Sequence, residues 1–377
     1  MDLSANLPLL TSLLTTALVV AVQHVRSAQR SRERSLRVSS LHVYPVKGLR
    51  GHSVDCAPLD SRGMLWDRRW MLLRGGERSL FTTQRQVPGM ATLEATVLLP
   101  PALAARAVPP AAVVDASLAA PALRLVATRG AHAGRSIVVP ILTQAEGATV
   151  PCVLVWGSAA ECVVDQGEAV AAWLTEVLGE GDAASLAGGE DGRAPPDGDD
   201  LRLRLVYFDP AASSRALKHA PPATAPPLVD GVAFSDGFPM LLASGESLAD
   251  LNRRLPPGEG PLPMARFRPN IVVAADRAWA EDGWAQLRIG SVGLWGVKRC
   301  ARCKVTTIDP ATGTPHADAL QPEPLATMKG FRGDRQASGD VYFGVNVVHE
   351  RSDASGAAAL RVGDAVSVVE AAPVPPL

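Results

Sequence analysis

Short stretches of alternating apolar and polar residues, bounded by turn-forming or charged residues, recur along most of this chain. The alternation is clear at 36–46, where Leu36, Val38 and Leu41 are apolar, and again at 201–208. A period of two places successive side chains on opposite faces of a β-strand. Further strand-like stretches lie at 66–73, 138–155, 267–273, 284–297, 342–348 and 360–369. The pattern predicts an α+β, β-rich fold, with a second half that closes or nearly closes on itself.

Two stretches have helical periodicity instead. One follows Glu168 and is predicted to end at Gly179, which can adopt the left-handed conformation of a helix C-cap. Its predicted buried face consists of Ala169, Ala172, Trp173, Val177 and Leu178. The second predicted helix runs from about Ser247 to Arg254.

Shifts in composition predict the domain organisation. At 377 residues the chain is long enough for two domains. Residues 38–180 are predicted to form a first β-rich domain, with an Ala- and Pro-rich surface insert at about 100–122. Residues 181–200 are acidic and glycine-rich, which is typical of a linker. Residues 201–370 are predicted to form the second domain.

The N-terminal residues 1–37 are predicted to be a membrane anchor followed by a basic juxtamembrane segment. Residues 3–23 carry no formal charge, and five arginines follow between positions 26 and 37. About 20 apolar residues can span a bilayer as a helix, and basic residues favour the cytosolic side. We therefore expect the folded part to face the cytosol. A cleaved or disordered leader is the alternative interpretation.

Charge and cysteine usage restrict the class of function. The net charge of −1 and the aromatic content of 5% argue against a nucleic-acid-binding surface. Five cysteines are too few, and an odd number, for a secreted disulfide scaffold, so a reducing compartment is favoured. The chain has no phosphate-binding G-x-x-x-x-G-K-[ST] motif and no G-x-S-x-G nucleophile elbow.

The stretch 298–313, K-R-C-A-R-C-K-V-T-T-I-D-P-A-T-G, carries the strongest chemical signal. It sets Cys300 and Cys303 among four basic side chains, and nearby positive charge stabilises a thiolate. Val305 and Ile308 predict a strand after the pair, and Asp309–Gly313 predicts a turn. A metal ligand, a redox disulfide, half of a zinc site and a buried packing cysteine all remain open on spacing alone.

Basic residues also recur where predicted loops meet predicted strands. Arginine gives planar two-point contacts to phosphate and lysine a point charge, so such a set suits a phosphate ligand. Asn270 and Ser235 could add neutral hydrogen bonds. Solvated surface charges are the alternative interpretation for each member. The set consists of Lys47, Arg50, Arg68, Arg69, Arg268 and Arg302.

Nine motifs are spread over residues 38–370. They are Y-P-V-K-G-L-R-G (44–51), W-D-R-R-W (66–70), D-Q-G-E-A (165–169), L-V-Y-F-D-P (205–210), F-S-D-G-F-P (234–239), F-R-P-N (267–270), A-E-D-G-W (280–284), C-A-R-C-K-V-T-T-I-D-P-A-T-G (300–313) and V-G-D (362–364). Together they resemble the mitochondrial amidoxime-reducing components, a family of MOSC-domain proteins. The resemblance implies a MOSC-type β-barrel domain preceded by a β-rich MOSC N-terminal domain.

The resemblance also implies a molybdenum cofactor, a pterin dithiolene with a terminal phosphate. Cys303 matches the family's metal-ligating cysteine, and it would be the catalytic residue. Lys47 and Arg68 would hold the phosphate, while Gly48 stands where such members carry serine, so any contact there would come from the backbone. Four further residues would line the pterin: Ser235, Arg268, Asn270 and Arg302.

The activity implied by the resemblance is the reduction of amidoximes, hydroxylamines and related N-hydroxylated compounds, with nitrite reduction to nitric oxide as a second activity. Electrons would come from NADH through cytochrome b5 reductase and cytochrome b5. The implied location is the mitochondrial outer membrane, another organelle membrane or the cytosol being the alternative. Two rival hypotheses are a cofactor-sulfuration module with a persulfide on Cys303, and a non-catalytic scaffold that binds a phosphorylated ligand.

Overall fold

The computed structural model describes residues 36–74, 80–104, 112–186, 202–218, 228–229, 231–333, 339–351 and 358–375. The helices of these ranges are α1 (Pro101–Ala104), α2 (Glu168–Leu186), α3 (Gly245–Arg254) and α4 (Leu325–Arg332). The strands are β1 (Arg37–Val43), β2 (His52–Val54), β3 (Cys56–Asp60), β4 (Gly63–Met64), β5 (Trp70–Arg74), β6 (Leu80–Phe81), β7 (Leu93–Leu99), β8 (Val113–Val114), β9 (Ala122–Ala127), β10 (Ser136–Pro140), β11 (Thr149–Val155), β12 (Ser158–Asp165), β13 (Leu203–Tyr207), β14 (Met240–Ser244), β15 (Ile271–Ala274), β16 (Trp284–Ile289), β17 (Val292–Arg302), β18 (Val341–His349), β19 (Ala359–Arg361) and β20 (Val366–Ala371).

The largest sheet has the strand order β2-β1-β15-β14-β18-β17-β16-β20. Its ends meet, because Val38 N donates to Asp364 O at 3.0 Å and Val366 N donates to Leu36 O at 3.0 Å. These bonds join β1 to the start of β20, so the sheet closes into a barrel. The predicted closed β-structure is confirmed, with β1 from the N-terminal end as one of its strands.

Aliphatic side chains fill the barrel, as the alternation predicts. Leu41, Val43, Leu242, Ile271 and Val345 are each at most 1% exposed and pack in one cluster. Burying one such side chain stabilises a fold by about 1.5–3 kcal/mol. The barrel is therefore a packed core, and any ligand must bind at its surface.

A second β-unit consists of a four-stranded sheet, β10-β9-β7-β8, and a five-stranded sheet, β11-β12-β13-β5-β6. Helix α2 packs on this unit, and Leu174 shares a fully buried cluster with Trp70, Leu72, Leu125 and Leu205. We call these two sheets and helix α2 the N-terminal unit. Strand β13, from beyond the predicted linker, pairs here with β5 and β12, while β1 belongs to the barrel. The two units thus exchange strands, and the domain limits remain predictions.

Helix α2 corrects two predictions. It continues through Gly179 to Leu186, so Gly179 does not end it, and the helix enters the predicted linker. Ala169 and Ala172 are exposed, whereas the buried face is formed by Val170, Ala171, Trp173, Leu174 and Leu178. The predicted face was displaced by about one position around the helix.

Two predictions fall wholly or partly outside the described residues. The predicted anchor lies almost entirely in residues 1–35, and most of the predicted linker lies in 187–200. In the part of the chain that the structure does describe, no helix is long and apolar enough to span a membrane. Of the predicted insert, α1 and β8 are described, and Val113 and Val114 of β8 are exposed.

Candidate active site

A cavity of about 280 Å³ lies where the barrel meets the N-terminal unit. Arg50 and Arg69 of the predicted basic set do not line it, and Arg69 is buried beside its ion-pair partner Asp60. All eight residues predicted for the cofactor do line it: Lys47, Gly48, Arg68, Ser235, Arg268, Asn270, Arg302 and Cys303. The fold thus brings together residues that lie far apart in the sequence.

Four loops and the end of one strand carry these residues. Backbone hydrogen bonds tie the loops to one another: Lys47 N donates to Trp70 O at 2.7 Å, and Phe234 N donates to Arg68 O at 3.0 Å. Gly48 has a φ of +85°, and a Cβ there would lie 2.5 Å from Met90 Cε. A serine at this position would have to displace the end of Met90, so glycine suits the loop.

Cys303 follows β17 directly and is exposed. Its carbonyl accepts hydrogen bonds from Thr306 N at 3.1 Å and Thr306 Oγ1 at 3.0 Å. These bonds wind Lys304–Thr307 into a 3₁₀ helix. The strand predicted over Val305 and Ile308 is therefore wrong, and the cysteine ends a strand instead of leading into one.

The two thiols differ in their contacts. Arg302 Nη1 donates to Cys300 Sγ at 2.9 Å, and Arg302 Nη2 donates to Phe267 O at 2.8 Å. Cys303 Sγ, by contrast, makes no hydrogen bond to a residue within the described ranges. The protein holds the half-buried Cys300 and leaves the Cys303 thiol open to the cavity.

Two arginines that line the cavity contact the buried ring of Tyr44. The guanidinium carbons of Arg68 and Arg268 lie 4.2 Å and 4.4 Å from the centroid of the Tyr44 ring. Burial raises the pKa of the Tyr44 phenol, whose hydroxyl donates to Pro269 O at 3.2 Å. Cation–π contacts fix both guanidinium planes against the ring and partly offset the repulsion between the two cations.

Arg68 is also fixed by polar partners. Its Nη1 donates to Asp67 Oδ2 at 2.6 Å and to Asn270 Oδ1 at 3.0 Å. Asn270 Oδ1 also accepts from Leu241 N at 3.2 Å, and its Nδ2 donates to His42 O at 3.2 Å. Asn270 therefore joins several segments of the chain, and one of its amide hydrogens remains for a ligand.

Lys47 lies against the loop that carries Ser235. Its Nζ donates to Phe234 O at 2.9 Å and forms an ion pair with Asp236. Burial lowers the pKa of Lys47, and Asp236 opposes that shift. The surrounding protein acts to raise the pKa of Asp236, but the Lys47 charge holds that pKa below its ordinary range. Ser235 Oγ makes no hydrogen bond to a described residue, so it can serve a ligand.

Arg215 is a positioning residue that the sequence did not reveal. It is buried and donates to Ala233 O at 2.9 Å, to Ser235 O, and to Val155 O at 3.3 Å. Burial lowers the pKa of Arg215 to about 10. One buried guanidinium thus ties the Ser235 loop to β11, and no pattern around A-S-S-R-A predicts this role.

The cavity is strongly electropositive. Among the lining residues that the structure describes, seven are basic and one, Asp236, is acidic. Burial, then the Arg68 charge, lowers the pKa of Arg268 to about 10. Within the described chain, neither Arg268 nor Lys298 has a side-chain hydrogen bond or carboxylate partner. The basic residues are Lys47, Arg68, Arg85, Lys218, Arg268, Lys298 and Arg302. Such a lining suits an anionic ligand.

Backbone strain is concentrated around this cavity. Arg68, Trp156 and Arg268 all line it and have φ values of 48°, 52° and 54°. Left-handed conformations of side-chain-bearing residues cost energy and persist where surrounding contacts determine them. Here the aromatic and hydrogen-bonding partners of these residues hold the conformation.

The donor set fits a metal that brings ligands of its own. Among the described residues, no group of three or more His, Cys, Asp or Glu side chains could hold a metal ion. Cys303 offers one exposed thiol beside a cationic cavity. A negatively charged cofactor that carries its metal on its own sulfur atoms needs only these two features, since soft metals bind thiolates.

The fold is that of the MOSC class, because two family models cover most of the described chain. Residues 35–181 match the family model described as MOSC N-terminal beta barrel domain, and residues 230–367 match the one described as MOSC domain.

The chain is 31% identical to mitochondrial amidoxime-reducing component 1 of Homo sapiens over 327 residues, which cover 85% of this chain and 80% of that protein. It is 31% identical to mitochondrial amidoxime reducing component 2 of Rattus norvegicus over 323 residues, 81% of this chain and 77% of that protein. The chain belongs to the mitochondrial amidoxime-reducing component family of MOSC-domain proteins.

Proposed function

We propose that this chain is a molybdenum-cofactor-dependent reductase of N-hydroxylated compounds, including amidoximes and hydroxylamines. One observation carries the proposal: a cavity whose described lining has seven basic side chains and one acidic one opens onto the exposed thiol of Cys303. The names of the relatives, amidoxime-reducing components, supply the reaction class. Nitrite is a second candidate substrate.

Different residues of the cavity would bind different parts of the cofactor. The thiolate of Cys303 would ligate the metal. Lys47 and Arg68 would bind the terminal phosphate, and the Gly48 backbone lies beside them. The pterin would be bound by Ser235, Arg268, Asn270 and Arg302, whose side chains face the same cavity.

When bound, the cofactor supplies the two-electron chemistry that converts an N-hydroxyl group into an amine or amidine, with two protons consumed and one water released. The protein supplies charge, orientation and access. Arg68 and Arg302 are fixed by bonds to Asp67, Asn270 and Phe267, so little reorganisation is needed when an anion arrives. Arg215 holds the Ser235 loop in the same way.

Electron donors and location complete the proposal. NADH would supply the electrons through cytochrome b5 reductase and cytochrome b5. The relatives are named mitochondrial components, which supports a mitochondrial location for this chain. The outer membrane, with the folded part facing the cytosol, is the proposed site, and residues 1–37 are the proposed anchor.

Metal analysis and turnover together test this function. Purified protein is expected to carry about one molybdenum per chain, since each chain has a single proposed metal-ligating thiolate, that of Cys303. It should reduce benzamidoxime to benzamidine when combined with NADH, cytochrome b5 reductase and cytochrome b5. Full molybdenum loading without turnover would count against the reductase and favour the scaffold hypothesis.

The exposed Cys303 also suits a different role, the transfer of sulfur from a persulfide. Mass spectrometry of the intact chain separates the two. Sulfane sulfur on Cys303 in protein that lacks molybdenum would establish the sulfuration module instead of the reductase.

A further inference from the structure

We propose that Arg85 and Trp156 complete the phosphate-binding end of the cavity, Arg85 as a direct ligand of the phosphate and Trp156 as the residue that positions it. The proposal rests on the proposed function, because the phosphate in question is that of the bound cofactor. Neither residue belongs to the set that the sequence motifs indicate.

Arg85 lies on the same side of the cavity as Lys47. Gln84 Nε2 donates to Gly48 O at 2.6 Å, so the turn that carries Arg85 is bound to the loop that carries Lys47. Arg85, Lys47 and Gly48 all line the cavity. Two cations from separate loops therefore face one end of the same space.

Trp156 joins these two cations on their other side. Its ring centroid lies 4.5 Å from the guanidinium carbon of Arg85. Its Nε1 donates to Asp236 Oδ1 at 2.8 Å, and the same carboxylate pairs with Lys47. The contacts form a closed circle around one end of the cavity, from Lys47 through Asp236, Trp156, Arg85 and Gln84 back to Gly48.

Among these cations, Arg85 has no anionic partner within the described residues. Its guanidinium is half-buried and makes no hydrogen bond to a described residue. Lys47, by contrast, is paired with Asp236, and Arg68 already donates to Asp67, Asn270 and Arg268 O. An arginine held on an aromatic ring with its donors unused is suited to a phosphate, which it contacts in a planar fork.

The turn beneath Arg85 is rigid. Arg85 N donates to Thr83 Oγ1 at 3.2 Å, and Val87 N donates to Thr83 O at 3.0 Å. Thr83 N in turn donates to Gln86 Oε1 at 3.0 Å. The turn fixes the backbone of Arg85 and the Trp156 ring restrains its guanidinium, so little freedom is lost on binding, which favours a ligand role over a mobile surface charge.

Trp156 occupies a position that an ordinary hairpin would give to asparagine or glycine. Trp156 and Gly157 join β11 to β12 with φ values of 52° and 81°, the conformation of a two-residue hairpin turn with both central residues left-handed. Its ring also meets Phe81 edge-on at 4.9 Å. A large aromatic residue in a strained position, 43% exposed and facing a cavity, indicates a role for the ring in that cavity.

Retention of the cofactor by the purified holoprotein tests the proposal. Molybdenum and pterin per chain are measured over time in buffers of rising salt. Arg85→Ala should lose both about tenfold faster than wild type, the effect of losing one charge-assisted bond. Arg85→Lys should fall between the two. Trp156→Ala should shift the rate in the same direction by less, because it frees Arg85 without removing its charge.

Arg129→Ala is the matched control, because Arg129 is exposed, lies outside the cavity and makes no bond to a described residue. It should keep the wild-type rate. Circular dichroism and thermal unfolding of each variant verify the fold, and Arg85→Lys keeps the test decisive where Arg85→Ala is unstable.

Competition with inorganic phosphate identifies the group that Arg85 binds. Phosphate should speed cofactor loss from wild type beyond chloride at equal ionic strength, and should do so much less in Arg85→Ala. Equal acceleration in both proteins, or wild-type retention in Arg85→Ala, overturns the proposal. If the purified wild-type protein carries neither molybdenum nor pterin, the proposed function is rejected instead.

Calorimetric titration of that cofactor-free protein with inorganic phosphate then tests the site. Phosphate binding that is lost in Arg85→Ala supports the proposal. Phosphate binding that is absent in wild type, or unchanged in Arg85→Ala, rejects it.

Discussion

The cavity has two walls that are built in opposite ways. In the cationic wall, formed by Arg68, Arg268 and Asn270, hydrogen bonds and contacts with the buried Tyr44 ring fix the side chains in advance. In the thiol wall, residues 300–303, the protein holds Cys300 and leaves Cys303 open. The difference shows that the two walls have different tasks. The cationic side chains are preorganised to attract and orient an anion, whereas the sulfur of Cys303 is left without a protein partner among the described residues.

The thiol wall should give the largest effect. Cys303→Ser is expected to lose normal metal coordination and more than about 100-fold in reductase activity, since even the outer partners of metal ligands cost 10–100-fold. Cys300→Ser should keep bound molybdenum, because Arg302 can still donate to the hydroxyl. Molybdenum content and X-ray absorption at the Mo edge measure both. Equal loss of coordination in the two variants would show that the roles are wrongly assigned.

The cationic wall should respond through stability. Asp67 is 4% exposed and accepts from Arg68 and from Tyr44 N. Asp67→Asn leaves the Arg68 charge without its partner, so we expect the free energy of unfolding to fall by about 3 kcal/mol. Denaturation in urea measures it. The matched control is Glu176→Gln, which breaks an exposed pair with Arg135 and should change stability little.

The preorganisation of charge should itself carry a cost. Arg268→Gln removes one of the two cations that contact the Tyr44 ring, and the Arg268 side chain has no hydrogen bond to a described residue to lose. The cofactor-free protein should gain about 1 kcal/mol of stability while holding the cofactor less tightly. Arg68→Gln should instead lose stability, since it strands Asp67. Thermal unfolding of the two cofactor-free variants measures both changes. Equal shifts in Tm would contradict the predicted difference between Arg268 and Arg68.

The smallest effect concerns Asp236, which belongs to neither wall. Its folded-state pKa lies below the ordinary 3.8, so its charge contributes stability above that pH and loses it as pH falls through the folded value. The Tm difference between wild type and Asp236→Asn should therefore be constant above about pH 5 and shrink below about pH 3.8. A difference that does not change with pH would mean that the carboxylate charge is not what matters.

Local sequence patterns predicted the presence of strands, helices and turns better than the residues at which they end. Alternation identified β1 and β13, and the Asp-Pro…Gly pattern identified a turn that Gly313 N closes on Asp309 O at 2.8 Å. The strand predicted after Cys303 failed because Thr306 bonds back to the Cys303 carbonyl, a choice that apolar spacing does not encode. Gly179 failed as a helix end because the helix continues past it.

The motifs predicted which residues meet in the cavity, but not the residues that hold them. Arg215 contacts carbonyl oxygens, and Trp156 contacts the Asp236 carboxylate and the Phe81 ring, all from distant segments. Such contacts depend on how β11, β12 and the Ser235 loop pack, which no local pattern records. A Trp-Gly pair between two strand-like stretches was the available signal for a tight hairpin at 156–157.

The closure of the barrel by β1 also determines when the barrel can form during synthesis. Arg37 Nη1 donates to Gly363 O, 326 positions later in the chain, and β15 must reach β1 before that. Non-local pairing of this kind comes only after the entropy of a long loop has been overcome. Nearly the whole chain must therefore leave the ribosome before the barrel closes.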